Sequence, residues 1–83
     1  MNVKIYTTDN CPFCHAAKNF LKGKGVAFEE IDVSDDEAFD ELVERTGWQT
    51  VPQIFINDTM IGGYRELTNL DREGKLLQLL KNS

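Results

Sequence analysis

The sequence predicts an α/β domain: one four-stranded mixed sheet with helices on both faces, in the order β-α-β-α-β-β-α. Three observations carry that prediction. Short runs rich in β-branched and aromatic residues recur at 3–7, 26–33, 53–56 and 59–61, as strands require. Between the first three runs lie two stretches with apolar residues at helical spacing, and a parallel strand pair needs such a crossover. The last two runs are separated only by Asn57-Asp58, whose tolerance of positive φ closes a hairpin.

Taken in order, Val3, Ile5 and Thr7 alternate with Lys4 and Tyr6 to give the first strand, and Asp9-Asn10 breaks it. A helix is expected over 12–22, because proline is accepted in a first helical turn. Its apolar face is Ala16, Ala17, Phe20 and Leu21, with Gly23 and Gly25 as its stop. The second strand is expected over 26–33, around Val26, Phe28 and Ile31. Ser34-Asp35-Asp36-Glu37 matches a capping box, in which Ser34 and Glu37 satisfy free amide hydrogens reciprocally. The helix so opened carries Phe39, Leu42 and Val43 on one stripe and ends near Thr46, with Gly47 as its cap. Gln53 to Ile56 is the third strand and Thr59-Met60-Ile61 the fourth, closed by Gly62-Gly63. The remainder reads as one helix, through Leu67, Leu70, Leu76, Leu77, Leu79 and Leu80.

With 83 residues the chain makes a single domain over 1–83, and a core of this size hides only about 60–65% of the unfolded surface. Hydrophobic residues at 41% and charged residues at 28% place it among folded rather than disordered chains. The net charge of −5 argues against nucleic acid, which needs clustered Lys and Arg. The acids from Glu29 to Glu37 read as a solvated face. No basic flank or apolar core of a signal peptide opens the chain, and no apolar stretch reaches the roughly 20 residues that span a bilayer. A soluble, cytoplasmic, monomeric protein with no membrane partner is therefore expected.

The two cysteines, Cys11 and Cys14, cannot staple a small secreted fold, and a bond between them closes a minimal loop with little entropic benefit. Chemistry explains their spacing better. Cys11 falls at the amino end of a helix, where partial positive charge and free N–H groups favour a thiolate. The attacking species in disulfide exchange is the thiolate, and such motifs bring the leading thiol to a pKa of roughly 3.5–7.5. Cys14, one turn in, is expected to be the less exposed, resolving thiol. A Cys-x-x-Cys pair is also half a zinc site, but two cysteines and one histidine do not complete four ligands. No metal is expected. Thr50-Val51-Pro52, just before the third strand, has two readings. Proline is accepted where a strand begins, or a cis peptide sets the backbone of Val51 beside the thiol, where an extended substrate can pair with it. The cysteine pair favours the second.

Tyr6-Thr7, Cys11-Pro12-Phe13-Cys14, Thr50-Val51-Pro52 with Gln53-Ile54-Phe55-Ile56, and Ile61-Gly62-Gly63 together resemble the glutaredoxins of the thioredoxin fold, over essentially the whole chain. The resemblance implies that Cys11 is the nucleophile, that Cys14 resolves the mixed disulfide, and that Pro52 is cis. It also implies that glutathione, the reducing co-substrate, lies along Val51 toward Gly62-Gly63, with Thr50, Tyr64 and Arg65 at the site. No bound cofactor is needed, and the expected partners are glutathione and disulfide-containing or glutathionylated proteins. The chain departs from the pattern at Thr8, Phe39 and Arg65, where many relatives carry a lysine, a basic or amide residue, and an acid, and at Tyr64, where they carry a small or thiol residue; Glu66 or Thr68 would then meet the γ-glutamyl ammonium. Two rival readings stay open: a thioredoxin-like electron donor recharged by a flavin reductase, and a carrier in which Cys11 of two chains, with glutathione, bridges an iron–sulfur cluster. Phe13 is read as an exposed contact for protein substrates. His15 is read as surface, Lys18 as a candidate thiolate stabiliser or a solvated lysine, Trp48 and Gln49 as groove or packing residues, and Phe39 as core.

Overall fold

The backbone of a computed structural model is described here for residues 2–81. Its elements are β1 (Val3–Thr7), α1 (Pro12–Gly23), β2 (Glu29–Asp32), α2 (Asp36–Thr46), β3 (Gln53–Ile56), β4 (Thr59–Gly62), α3 (Tyr64–Arg72) and α4 (Lys75–Lys81). The sheet has the order β2-β1-β3-β4. β1 pairs with β2 in parallel and with β3 antiparallel, Ile5 standing opposite Ile54. β4 returns along β3 through Asn57 and Asp58, whose φ values of 52° and 67° are those of a tight hairpin.

Alternation along β1 and β3 sends Val3, Ile5, Ile54 and Ile56 into one core with Ala17 and Leu21 of α1, Leu67 of α3 and Leu76 of α4. Lys4, Tyr6 and Phe55 share the opposite face, where they border Arg45 and Thr46 of α2. The rings of Tyr6 and Phe55 meet edge to face at 5.6 Å. Helices therefore cover both faces, as the pattern of apolar runs predicts.

Four local expectations are corrected. β2 is four residues long rather than eight, because it is an edge strand whose ladder to β1 runs only from Lys4↔Glu29 to Thr7↔Asp32. Val26 is buried in the core ahead of it. The cap of α2 is Asp35, not Ser34: its carboxylate accepts the Ala38 N–H at 3.2 Å. Ser34 instead uses its Oγ to accept the Asp9 N–H at 2.9 Å, which ties the β2–α2 turn to the β1–α1 loop. Gly23 is the last residue of α1, and the left-handed residue beyond it is Gly25, with φ 71°. The C-terminal helix is two helices, separated at Glu73-Gly74, where Gly74 takes φ 74°. The expected contribution of Leu80 lies outside the described side chains. The Gly47 cap is as predicted, with φ 73° and its N–H donated to the Val43 carbonyl at 2.7 Å. No helix among the described residues is long and apolar enough to cross a membrane.

Candidate active site

β1 ends at Thr7, and the chain turns through Asp9-Asn10 to deliver Cys11 to the amino end of α1. Cys11 is the helix cap, with an extended backbone of φ −130° and ψ 97°. Its Sγ accepts the Cys14 N–H at 3.1 Å. The Cys11 carbonyl accepts from Cys14 and His15 at 3.1 and 3.2 Å. A sulfur thus takes the place that a serine or aspartate oxygen fills at most helix starts, and an anion there meets the helix's free N–H donors. Cys11 and Cys14 are joined as a disulfide, their Cα atoms 5.1 Å apart. Cys11 keeps 7% of its surface exposed and Cys14 only 1%, so an incoming reagent reaches Cys11 first.

The segment before β3 forms the facing wall. The Val51-Pro52 peptide is cis, and the Val51 carbonyl oxygen stands 3.6 Å from Cys11 Sγ. In the disulfide no S–H is present, so this is a contact; a reduced Cys11 thiol can donate to the same oxygen. From here a groove of about 380 Å³ extends along Phe13, Trp48, Thr50, Val51, Pro52, Gly63, Tyr64, Arg65 and Glu66. Phe13, 63% exposed, overhangs it with its ring 6.2 Å from that of Tyr64. Thr50, Val51, Pro52, Gly63, Tyr64, Arg65 and Phe13 are thereby brought together from three distant parts of the chain. Gly62 is not a lining residue: it is buried at the end of β4 with φ 116°, and it shapes the turn into α3.

Two lining residues carry roles that motif reading left open. Glu66 accepts the Gly63 N–H with Oε1 at 2.9 Å, so one carboxylate oxygen fixes the start of α3 while the side chain lines the groove. Trp48 is held in the wall through its carbonyl, which accepts from the Gln53 Nε2 at 2.7 Å. Gln53 is fully buried; a polar residue on an otherwise apolar strand was the available sign that it serves a neighbour.

Other candidates lie elsewhere. Lys18 is paired with an acid: its Nζ is 2.9 Å from Glu30 Oε2, which also accepts from Thr7 Oγ1 at 2.8 Å. The Lys18 ammonium, then the Thr7 hydroxyl, hold the Glu30 carboxyl below the ordinary glutamate range. Ser34 does the same for Asp32. Phe39 is half-buried on α2, and neither it, Thr8 nor Gln49 lines the groove. His15 lines a second groove on another side of Cys11, with Asp9, Asn10 and Pro12.

The family model described as Glutaredoxin matches residues 3–61. Glutaredoxin 3 of Escherichia coli K12 is 48% identical over 81 residues, covering 96% of this chain and 98% of the relative. A glutaredoxin of Pseudomonas aeruginosa is 48% identical over 79 residues, covering 94% of each. Among solved structures, the glutaredoxin of Brucella melitensis superposes with a TM-score of 0.85 at 48% identity, over 98% of this chain and 89% of that one. A buckwheat glutaredoxin–glutathione complex superposes with a TM-score of 0.87 at 25% identity, over 96% and 76%. A redox-active cysteine pair at a helix start, in this sheet and with these relatives, makes the chain a member of the glutaredoxin family and a thiol–disulfide oxidoreductase.

Proposed function

We propose that the chain reduces protein disulfides and glutathione mixed disulfides at the expense of glutathione, with Cys11 as nucleophile and Cys14 as resolving thiol. The observation that carries this reading is the position of Cys11 Sγ. It caps α1 through the Cys14 N–H at 3.1 Å and lies 3.6 Å from the Val51 carbonyl, beside the groove. In the dithiol, the Cys11 thiolate attacks one sulfur of a substrate disulfide; a new S–S bond forms to Cys11 and the other sulfur leaves as a thiolate, which takes a proton. Cys14 then attacks Cys11 and expels the bound half as a thiol, or a second glutathione thiolate releases it directly. Two glutathione molecules return the disulfide to the dithiol and leave as glutathione disulfide.

The groove suits a glutathionyl moiety. An extended peptide can pair with the backbone of Val51, Arg65 can meet a carboxylate, and the Glu66 oxygen not bonded to Gly63 can meet an ammonium. Thr50, Pro52, Gly63, Tyr64 and Phe13 supply the remaining contact. A cytoplasmic location and action as a monomer belong to the same proposal, since a cycling pair needs a reducing compartment.

Cys11→Ser is expected to abolish turnover. Cys14→Ser is expected to retain reduction of small glutathione mixed disulfides and to lose most reduction of protein disulfides. The assay supplies NADPH with either glutathione and its reductase or a thioredoxin reductase. Turnover with only the second system would overturn the glutathione assignment.

A further inference from the structure

We propose that the second groove beside Cys11 seats the polypeptide around a substrate cysteine, and that it selects a flank rich in lysine or arginine. This groove holds about 330 Å³ and is lined by Asp9, Asn10, Cys11, Pro12 and His15. Cys11 itself forms part of its wall, so a polypeptide bonded to the sulfur has this groove within reach. That marks it as a substrate surface independently of its charge.

Its charge then defines the occupant. The Asp9 N–H donates to Ser34 Oγ at 2.9 Å, which ties the β2–α2 turn to the loop that carries Asp9. Asp32 accepts the Ser34 N–H at 2.7 Å, and Asp9 is among the groups acting on the Asp32 carboxyl. Asp35 and Asp36 follow at the start of α2. The nearest cation along α1, Lys18, is already committed to Glu30 at 2.9 Å. Cys11 therefore stands between two unlike surfaces. The groove toward α3 is largely apolar and pairs Arg65 with Glu66 in its lining, whereas the groove toward Asp9 has that carboxylate in its wall, with Asp32 acting beside it, and no Lys or Arg in its lining. A cationic segment on the acidic side gains Coulomb attraction and faster encounter, an effect that weakens as salt screens it.

The test uses two short synthetic peptides of equal length, each with one cysteine blocked as a mixed disulfide with 2-mercaptoethanol. One has lysines flanking the cysteine, the other glutamates. The reduced protein is mixed with each in a single turnover without glutathione, so the result does not depend on the reductant proposed above. Cys11 and Cys14 are oxidised to their disulfide while the substrate disulfide is reduced to two thiols, and release of free peptide thiol gives the second-order rate constant. The lysine peptide is expected to react about tenfold faster at low salt, with the advantage shrinking to about twofold near 1 M salt. Asp9→Lys should bring the ratio near one or invert it. Glu44→Lys makes the same charge change about 12 Å further along α2 from Asp36 and should move the ratio much less. Equal rates for the two peptides, a ratio indifferent to Asp9→Lys, or an equal loss in Glu44→Lys would each overturn the assignment.

Discussion

Gly62 and Gly63 stand side by side, yet only one is locked by its backbone. At Gly62 φ is 116°, a conformation in which L side chains are strained, and an added Cβ would lie 2.7 Å from Glu66 Cγ and 3.0 Å from Glu66 Cβ. Relief requires Glu66 to swing away, and that breaks its bond to the Gly63 N–H at 2.9 Å. Strain and a lost helix cap together place the cost of Gly62→Ala at about 2–3 kcal/mol. Gly63 has φ −100°, open to any residue, and a Cβ there meets the Pro52 carbonyl at 3.4 Å, an ordinary contact. Gly63→Ala should therefore cost less than about 1 kcal/mol but raise KM, because Gly63 lines the groove. Urea unfolding midpoints and steady-state kinetics on both variants check the pair. Equal loss of stability would show that the backbone at 62 is not the constraint.

At the scale of elements, two side-chain contacts tie β2 to α1 and β1, and they respond to acid. Lys18 of α1 and Thr7 of β1 both donate to Glu30 on β2, at 2.9 and 2.8 Å. Glu30 is thereby held below its ordinary value of 4.5, so the folded protein binds fewer protons than the unfolded chain. The stabilisation is complete above the ordinary value and is lost as pH falls through the lower folded one. Lys18→Met removes the largest cause, so its urea midpoint should fall less steeply with acid than that of the parent. At neutral pH the cost should stay under about 1 kcal/mol, since the carboxylate side is 40% exposed and partly screened. Parallel acid limbs for parent and variant would rule the link out. The cap of α2 has its own test. Asp35→Ala should cost about 1 kcal/mol, whereas Ser34→Ala leaves the α2 cap intact and loses the bond from the Asp9 N–H and the hydroxyl's support of the Asp32 carboxylate.

For the molecule as a whole, what could be read from the sequence was what local chemistry dictates. Period-two runs placed β1, β3 and β4, the Asn57-Asp58 turn placed the hairpin, and Cys11-Pro12-Phe13-Cys14 placed the reactive helix start. What escaped depends on partners distant in sequence. β2 stops where β1 stops pairing, Ser34 serves the Asp9 loop rather than its own helix, and the bonds that fix the two groove residues, Gly63 N–H to Glu66 and Gln53 to the Trp48 carbonyl, form only once α3 and β3 are in place. The break at Gly74 belongs with these, since leucines continue on both sides of it. That break makes α4 a seven-residue helix, too short to hold its shape without tertiary contacts. Leu76 docks it, 1% exposed in the core with Leu67, Ile54 and Leu21, as do the Leu79 side chain packed against that core and the Leu79 carbonyl, which accepts from Asn57 Nδ2 at 3.3 Å. Removing the Leu76 side chain should cost about 2–5 kcal/mol, a large share of the roughly 4–12 kcal/mol that a domain of this size commands. Among the described residues, none that lines either groove beside Cys11 comes from α4. Leu76→Ala should therefore lower the thermal midpoint by about 10 °C or more while the folded fraction exchanges disulfides at the parental rate. Circular dichroism melts together with single-turnover rates well below the midpoint separate the two effects. If the rate per folded molecule also falls severalfold, the core beneath α4 is coupled to the cysteine pair rather than merely supporting it.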